Sequence, residues 1–264
     1  MRSICIRLVV SAFIVAISAC ASPPASPPAT AETEPADDSS LTHDLRPQNG
    51  IPVFLGIANR QLDRDQEEAE AIAHVAEQAS RYLRTSAIYQ YVSQRGTDGI
   101  GYLDDIITDW DEHAAEQLKD SVEVLTSRQT DEATVITARV SGLPPAPTMD
   151  HITPGGNADS PPPWISATPE VPGYLVAVGT AQRRRTLRDT VDATDQEALK
   201  AILIQTGSTL RMVEDRRSVE RRGTTNTVTS AEEARATLSG FQVVARYKTS
   251  DGRYHYSLAV AREE

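Results

Sequence analysis

Cysteine is almost missing from this chain. There are two in 264 residues, Cys5 and Cys20, and neither lies beyond residue 20. The remainder therefore has no disulfide and no thiolate metal site. Aromatic residues make up 5%, so any core must be aliphatic and modest. The five histidines, His43, His74, His113, His151 and His255, never fall four apart, which excludes a zinc-binding helix of the H-E-x-x-H kind. No nucleophile elbow or phosphate loop occurs either. Acids outnumber bases, 37 to 26, which argues against nucleic acid as a partner. The longest uncharged apolar run, Leu8–Ile17, is shorter than the roughly 20 residues a membrane helix requires.

That run has a different meaning. Arg2 and Arg7 precede it, and Ile17-Ser18-Ala19-Cys20 follows. A basic start, a short apolar stretch and small residues make a secretory signal. The last four residues resemble the bacterial lipobox. The resemblance implies cleavage between Ala19 and Cys20 and acylation of Cys20, with residues 1–19 as the signal. Read instead as an A-x-A site, Ala19-Cys20-Ala21 would release a soluble periplasmic protein. By the same resemblance, Ala21 after the cysteine favours the outer membrane. Losing Arg2 and Arg7 takes the net charge from −11 to about −13.

Residues 20–49 are rich in Ala, Ser, Pro and acids, with Ser22-Pro23-Pro24-Ala25-Ser26-Pro27-Pro28 at their heart. Little here can be buried, so a disordered tether is expected, His43 included. Residues 142–163, with Leu143-Pro144-Pro145-Ala146-Pro147 just inside and Pro161-Pro162-Pro163 at the end, read as a linker, and His151 falls in it. Trp164-Ile165 is expected to dock on the domain C-terminal to this linker.

Two folded units are expected, 50–141 and 164–264. In the first, Val53–Ala58 reads as a buried strand. Asp63-x-x-Gln66 opens a helix as a capping box, with Asp65, Glu67 and Glu68 favoured by the helix dipole. Ala69, Ile72, Ala73, Ala76, Ala79, Tyr82 and Leu83 line one face, and His74 sits on its flank. Ala87–Gln94 is a strand, Asp104 to Glu112 an acidic turn, 111–118 a short helix, and 122–128 with 132–140 a hairpin. In the second, Tyr174–Ala181 is a strand, Thr186-x-x-Asp189 opens a helix, and Thr209–Arg222 is a strand. Residues 223–230 are a loop, 231–238 a short helix, and Asp251-Gly252 turns a hairpin in which His255 faces solvent, opposite Tyr254 and Tyr256. Gly56 matches Gly179, Leu118 matches Leu238, Val124 matches Val244 and Val140 matches Val260. The expected fold is thus α+β: two tandem units, each a long helix on a small antiparallel sheet, in the order strand, helix, strand, short helix, hairpin.

Pro163-Trp164-Ile165, Tyr174-Leu175-Val176-Ala177-Val178-Gly179-Thr180-Ala181, the alanines Ala193, Ala198 and Ala201, Leu238-Ser239-Gly240-Phe241-Gln242-Val243-Val244 and Asp251-Gly252 together resemble the Lpp-twenty family of bacterial outer-membrane lipoproteins. A related unit occurs in a flagellar assembly protein. The resemblance implies a long helix on an antiparallel sheet, an envelope location and no catalytic residues. At Asp192-Ala193-Thr194 the arginine that often follows the first helix alanine is missing.

Function is expected to be non-enzymatic, without cofactor or metal: a scaffold or interaction module anchored in the membrane through Cys20, with an envelope protein as partner. The alternative is a binder of anionic envelope polymer, peptidoglycan or lipopolysaccharide, or a flagellar or envelope assembly factor. Arg183, Arg184, Arg185, Arg216 and Arg217 form the candidate anion site, because guanidinium forks suit phosphate and carboxylate. The same charges also suit an edge strand kept soluble.

Overall fold

The computed structural model describes residues 43–96, 99–154, 160–207, 209–219 and 223–264. The expected signal, Cys20 and the expected tether up to residue 42 lie outside them. The architecture is mixed α+β, and every strand pair is antiparallel.

The chain opens with a short strand β1 (His43–Asp44), then β2 (Val53–Asn59), helix α1 (Arg64–Leu83), the hairpin β3 (Thr85–Gly96) and β4 (Gly99–Asp109), helix α2 (Glu112–Leu118), and the hairpin β5 (Val122–Gln129) and β6 (Ala133–Val140). After the proline-rich segment come β7 (Leu175–Gln182), helix α3 (Leu187–Gly207), β8 (Thr209–Val219), the 26-residue β9 (Gly223–Lys248) and β10 (Tyr254–Glu263). β2, β6 and β5 form a small sheet in that order. The large sheet runs β4-β3-β9-β10-β7, with β8 and β1 also paired to β9. It draws β3 and β4 from before the proline-rich segment and the rest of its main path from after it.

Capping residues start the helices where the sequence indicates. Asp63 accepts a hydrogen bond from the N–H of Asp65, 3.0 Å, and Thr186 Oγ1 accepts from the N–H of Asp189, 3.1 Å. Val53–Ala58 is apolar at consecutive positions because both faces of β2 are covered. Phe54 and Ala58 face α1, packing with Ala71, Val75, Ala79 and Tyr82. Val53, Leu55 and Ile57 face the central core with Leu187, Val191, Ile202 and Leu203 of α3.

Two glycines set the helix-to-sheet distance. A Cβ at Gly56 would collide with the Ala71 carbonyl and lie 2.7 Å from Ile136 Cγ1. A Cβ at Gly179 would collide with the Thr194 carbonyl and the Ala198 nitrogen, and lie 2.9 Å from Ala198 Cα. Each helix therefore rests its backbone directly on a strand.

Four local expectations are corrected. Residues 223–238, read as a loop and a short helix, are the first part of β9. Ala231–Leu238 has helix-forming composition, but it pairs with β3, from Thr85↔Leu238 to Val92↔Ala231. Pairing with a distant strand overrides local preference. The acidic turn at Asp104 to Asp109 is strand β4, in register with β3. Residues 43–49 are not disordered: His43 pairs with Arg246, and Leu45 is fully buried. The proline-rich segment, though free of periodicity, lays Met149, Ile152, Trp164 and Val171 against Val176, Val244, Leu258 and Val260. It is a strap over the outer face of the large sheet.

Candidate functional site

The densest polar chemistry lies under α3. One row of residues crosses the large sheet: His43 opposite Arg246, Arg246 opposite Ser257, Ser257 opposite Gly179. Because Gly179 has no side chain, α3 descends far enough for Asp195 to reach this row. Arg246 Nη1 and Nη2 donate to Asp195 Oδ1 and Oδ2 at 2.6 and 2.7 Å, a bidentate fork. Ser257 Oγ accepts from Arg246 Nη1 and donates to Asp195 Oδ1, both at 2.8 Å. All three residues are buried.

His255 sits two residues before Ser257 on the same face, so it is buried rather than solvated, 7% exposed. The reason is α3, which covers the face that alternation alone assigns to water. His43 lies on the other side of Arg246. Burial, with the charges of Arg246 and Arg128, pushes the His43 imidazole down to about 4. Burial, with Lys248, Arg183 and Arg246, does the same to His255, again to about 4. Both rings are therefore neutral at pH 7. His43 Nε2, His255 Nε2 and Arg246 Nε have no hydrogen-bond partner among the described residues. These residues line a cavity with Leu55, Ile57 and Val191, whose free space is about 20 Å³. That is room for about one water molecule.

The arrangement holds charge and does not set up proton transfer. The Ser257 hydroxyl is committed to Asp195 and Arg246, and no imidazole hydrogen-bonds to it, so serine, histidine and aspartate do not form a nucleophile with its base. Among the described residues no group of three or more His, Cys, Asp or Glu is placed to hold a metal ion.

Two other buried groups are structural. Glu67, in the first helical turn, is fully buried. Its carboxylate accepts from Arg60 Nη1, Arg64 Nη1, the Gln61 N–H and Thr134 Oγ1 at 2.6 to 2.9 Å. Burial works to raise this carboxyl, but the hydrogen bonds from Thr134, Gln61 and Arg64 hold it below its ordinary value. His74, on the buried side of α1, accepts from the Ile57 N–H through Nδ1, 3.1 Å, and lies 3.2 Å from Asp192 Oδ1 through Nε2. Burial raises the Asp192 carboxyl, but His74, Arg188 and Arg81 outweigh it and lower it.

The expected arginine cluster is not brought together. Arg183 to Arg185 lie between β7 and α3, near the end of β9, since β7 and β9 meet there through β10 at Tyr254 and His255. Arg216 and Arg217 pair with Asn226 and Thr225 at its start. The stretch of β9 that separates them reads locally as loop and helix. Arg183 is moreover bound to Glu132, 2.7 Å, while Arg184 and Arg185 are exposed. His113 and His151 are exposed and contact Gln117 and the Glu170 carbonyl.

Sequence reasoning missed Asp195, Arg246 and Ser257. Arg246 stands in the apolar run Phe241 to Tyr247, and a buried guanidinium requires a partner. No local pattern identifies that partner 51 residues upstream. Compared with family models, with curated proteins and with solved structures, the chain matches none of them.

Proposed function

We propose that this chain is a lipid-anchored protein of the bacterial envelope, held at the outer membrane through Cys20. Its folded part is two related α+β units and works as a scaffold or interaction module. The anchor rests on Ile17-Ser18-Ala19-Cys20 directly after an apolar run with a basic start. The two-unit reading draws on Gly56 and Gly179, which meet helix backbone or side chain at the fifteenth and nineteenth residue onward in both halves: Ala71 and Val75, Thr194 and Ala198. It also draws on the shared pairing order β2-β6-β5 and β7-β10-β9, and on a bulge in each hairpin, at Leu125 and at Val244.

Work by contact is supported by one observation above the others. The densest buried polar group, Arg246 with Asp195 and Ser257, spends its hydrogen bonds internally, around space for about one water. A substrate pocket is normally ten or more times larger, and the roomier hollow of about 270 Å³ between Asn49 to Ile51 and Val140 to Pro145 is lined by no titratable side chain. Binding of an anionic polymer would rest on Arg184 and Arg185 alone within the predicted turn, since Arg183 is committed to Glu132.

Metabolic labelling with a palmitate analogue tests the anchor. The wild-type chain should take the label and Cys20→Ser should not. Label persisting in Cys20→Ser, or never entering the wild type, refutes it.

A further inference from the structure

The sheets treat their edges unequally. β2 pairs with β6 on one side, and its other side is closed by side chains. Gln242 donates to the Val53 carbonyl at 3.0 Å, Gln78 to the Leu55 carbonyl at 2.7 Å, and the Ile57 N–H donates to His74 at 3.1 Å. β7, the edge strand beside β10, has its Val176 carbonyl closed by Gln205 at 3.0 Å. Unpaired strand edges recruit other strands, and natural proteins block them in such ways.

The two longest edges are β4 and β8. Among the described strands β4 pairs only with β3, and β8 only with β9. Each is 11 residues long and contains neither proline nor lysine. Along Leu103–Asp109, among the described residues, no side chain closes the outer backbone groups, and Leu103 and Ile107 are about half exposed. β4 and β8 are the two sides of one four-stranded array, β4-β3-β9-β8. Both β3 and β8 run antiparallel to β9, and β4 runs antiparallel to β3. β4 and β8 thus run in opposite directions. A second copy in the same orientation presents its β4 antiparallel to the first copy's β8, the pairing all the strands already use. Charge favours the match. β4 carries Asp104, bound to Lys200 at 2.6 Å, with Asp105 and Asp109 and no base, whereas β8 carries Arg211, Arg216 and Arg217 against two acids. Two β4 edges would repel.

We infer that copies of this chain associate head to tail, β4 of one adding to β8 of the next. Such a contact is heterologous: every open assembly keeps one free β4 edge and one free β8 edge, so association continues until a ring closes. Edge pairing requires no lipid, so it and the palmitate result fail independently.

Sedimentation velocity of the full chain in detergent tests this. The wild type should form species larger than a dimer as concentration rises. Proline at Ile106 or Ile107 blocks the β4 edge, and proline at Val213 or Glu214 blocks the β8 edge. Of two adjacent strand positions, one points its N–H outward, and that variant keeps the native circular dichroism. Each blocked variant alone should be monomeric, and an equal mixture of the two should give dimers and nothing larger. Asp105→Arg, at an exposed position, should weaken association about fivefold, the upper end for a cross-strand charge pair. A wild type monomeric at every concentration, a β4-blocked variant that still assembles alone, or association unchanged in Asp105→Arg overturns the inference.

Discussion

Mild acid should loosen this protein before its carboxylates are protonated. His43 and His255 are neutral in the fold, at about 4, while the unfolded chain binds a proton on each near 6.5. Below pH 6.5 the unfolded state therefore holds more protons, and stability falls with pH. The loss starts near pH 6.5 and ends near pH 4, where the folded rings also titrate. For His43, linkage gives about 2 kcal/mol lost between pH 7.5 and pH 5. Although its ring is the less accessible of the two, His255 is surrounded by fewer protein groups, and discounting for solvent screening leaves about 1 kcal/mol. The sum, about 3 kcal/mol, is a large part of the 5–15 kcal/mol that ordinarily holds a domain together. The carboxylates held low, Glu67 and Asp192 among them, lose their contribution only as pH falls through about 4 and below. The two windows separate. Urea unfolding at pH 7.5, 6.5, 5.5 and 5.0 should show a midpoint that moves down steadily, with an unchanged m-value. His43→Gln and His255→Gln should each flatten part of the slope, and the double variant most of it. A wild-type midpoint constant from pH 7.5 to 5, or an undiminished slope in the double variant, would refute the reasoning.

Three further outcomes are expected. Gly179→Ala drives a methyl into the Thr194 carbonyl and Ala198 nitrogen, and should cost about 3 kcal/mol or more in urea unfolding. Asp195→Ala leaves Arg246 buried without its counter-charge, and should cost about 3–5 kcal/mol by the same measurement. Trp164→Ala removes the largest anchor of the strap, with loss of its hydrogen bond to the Pro154 carbonyl. It should lower stability by about 3 kcal/mol and expose residues 143–154 and 160–171 to limited proteolysis, which a mobile segment would already permit in the wild type.

Elements fixed by short-range physics were legible. The run Val53–Ala58, the two helix starts and the Asp251-Gly252 turn each carry their cause within a few residues: continuous apolarity, a capping side chain, a glycine at φ +67°. What escaped depends on distant partners. Ala231–Leu238 prefers helix locally and is a strand because β3 pairs with it. His255 reads as solvated until α3 covers its face. The proline-rich segment has no period, yet it buries Trp164, and Pro144 receives the Tyr82 hydroxyl at 2.9 Å. The buried group at Arg246 is assembled from β9, β10 and α3, and its key residue is the absence of a side chain at Gly179. Gly179 could be matched to Gly56 in sequence, but what it makes room for could not be read there.

The pairing of His43 with Arg246 has a mechanical side. β1 is two residues long, and its first member also walls the buried cavity. Releasing that short ladder takes His43 out of the cavity wall and opens the cavity to water. Detachment of β1 and a drop in pH thus converge on the same latch, each lowering the work the other must do.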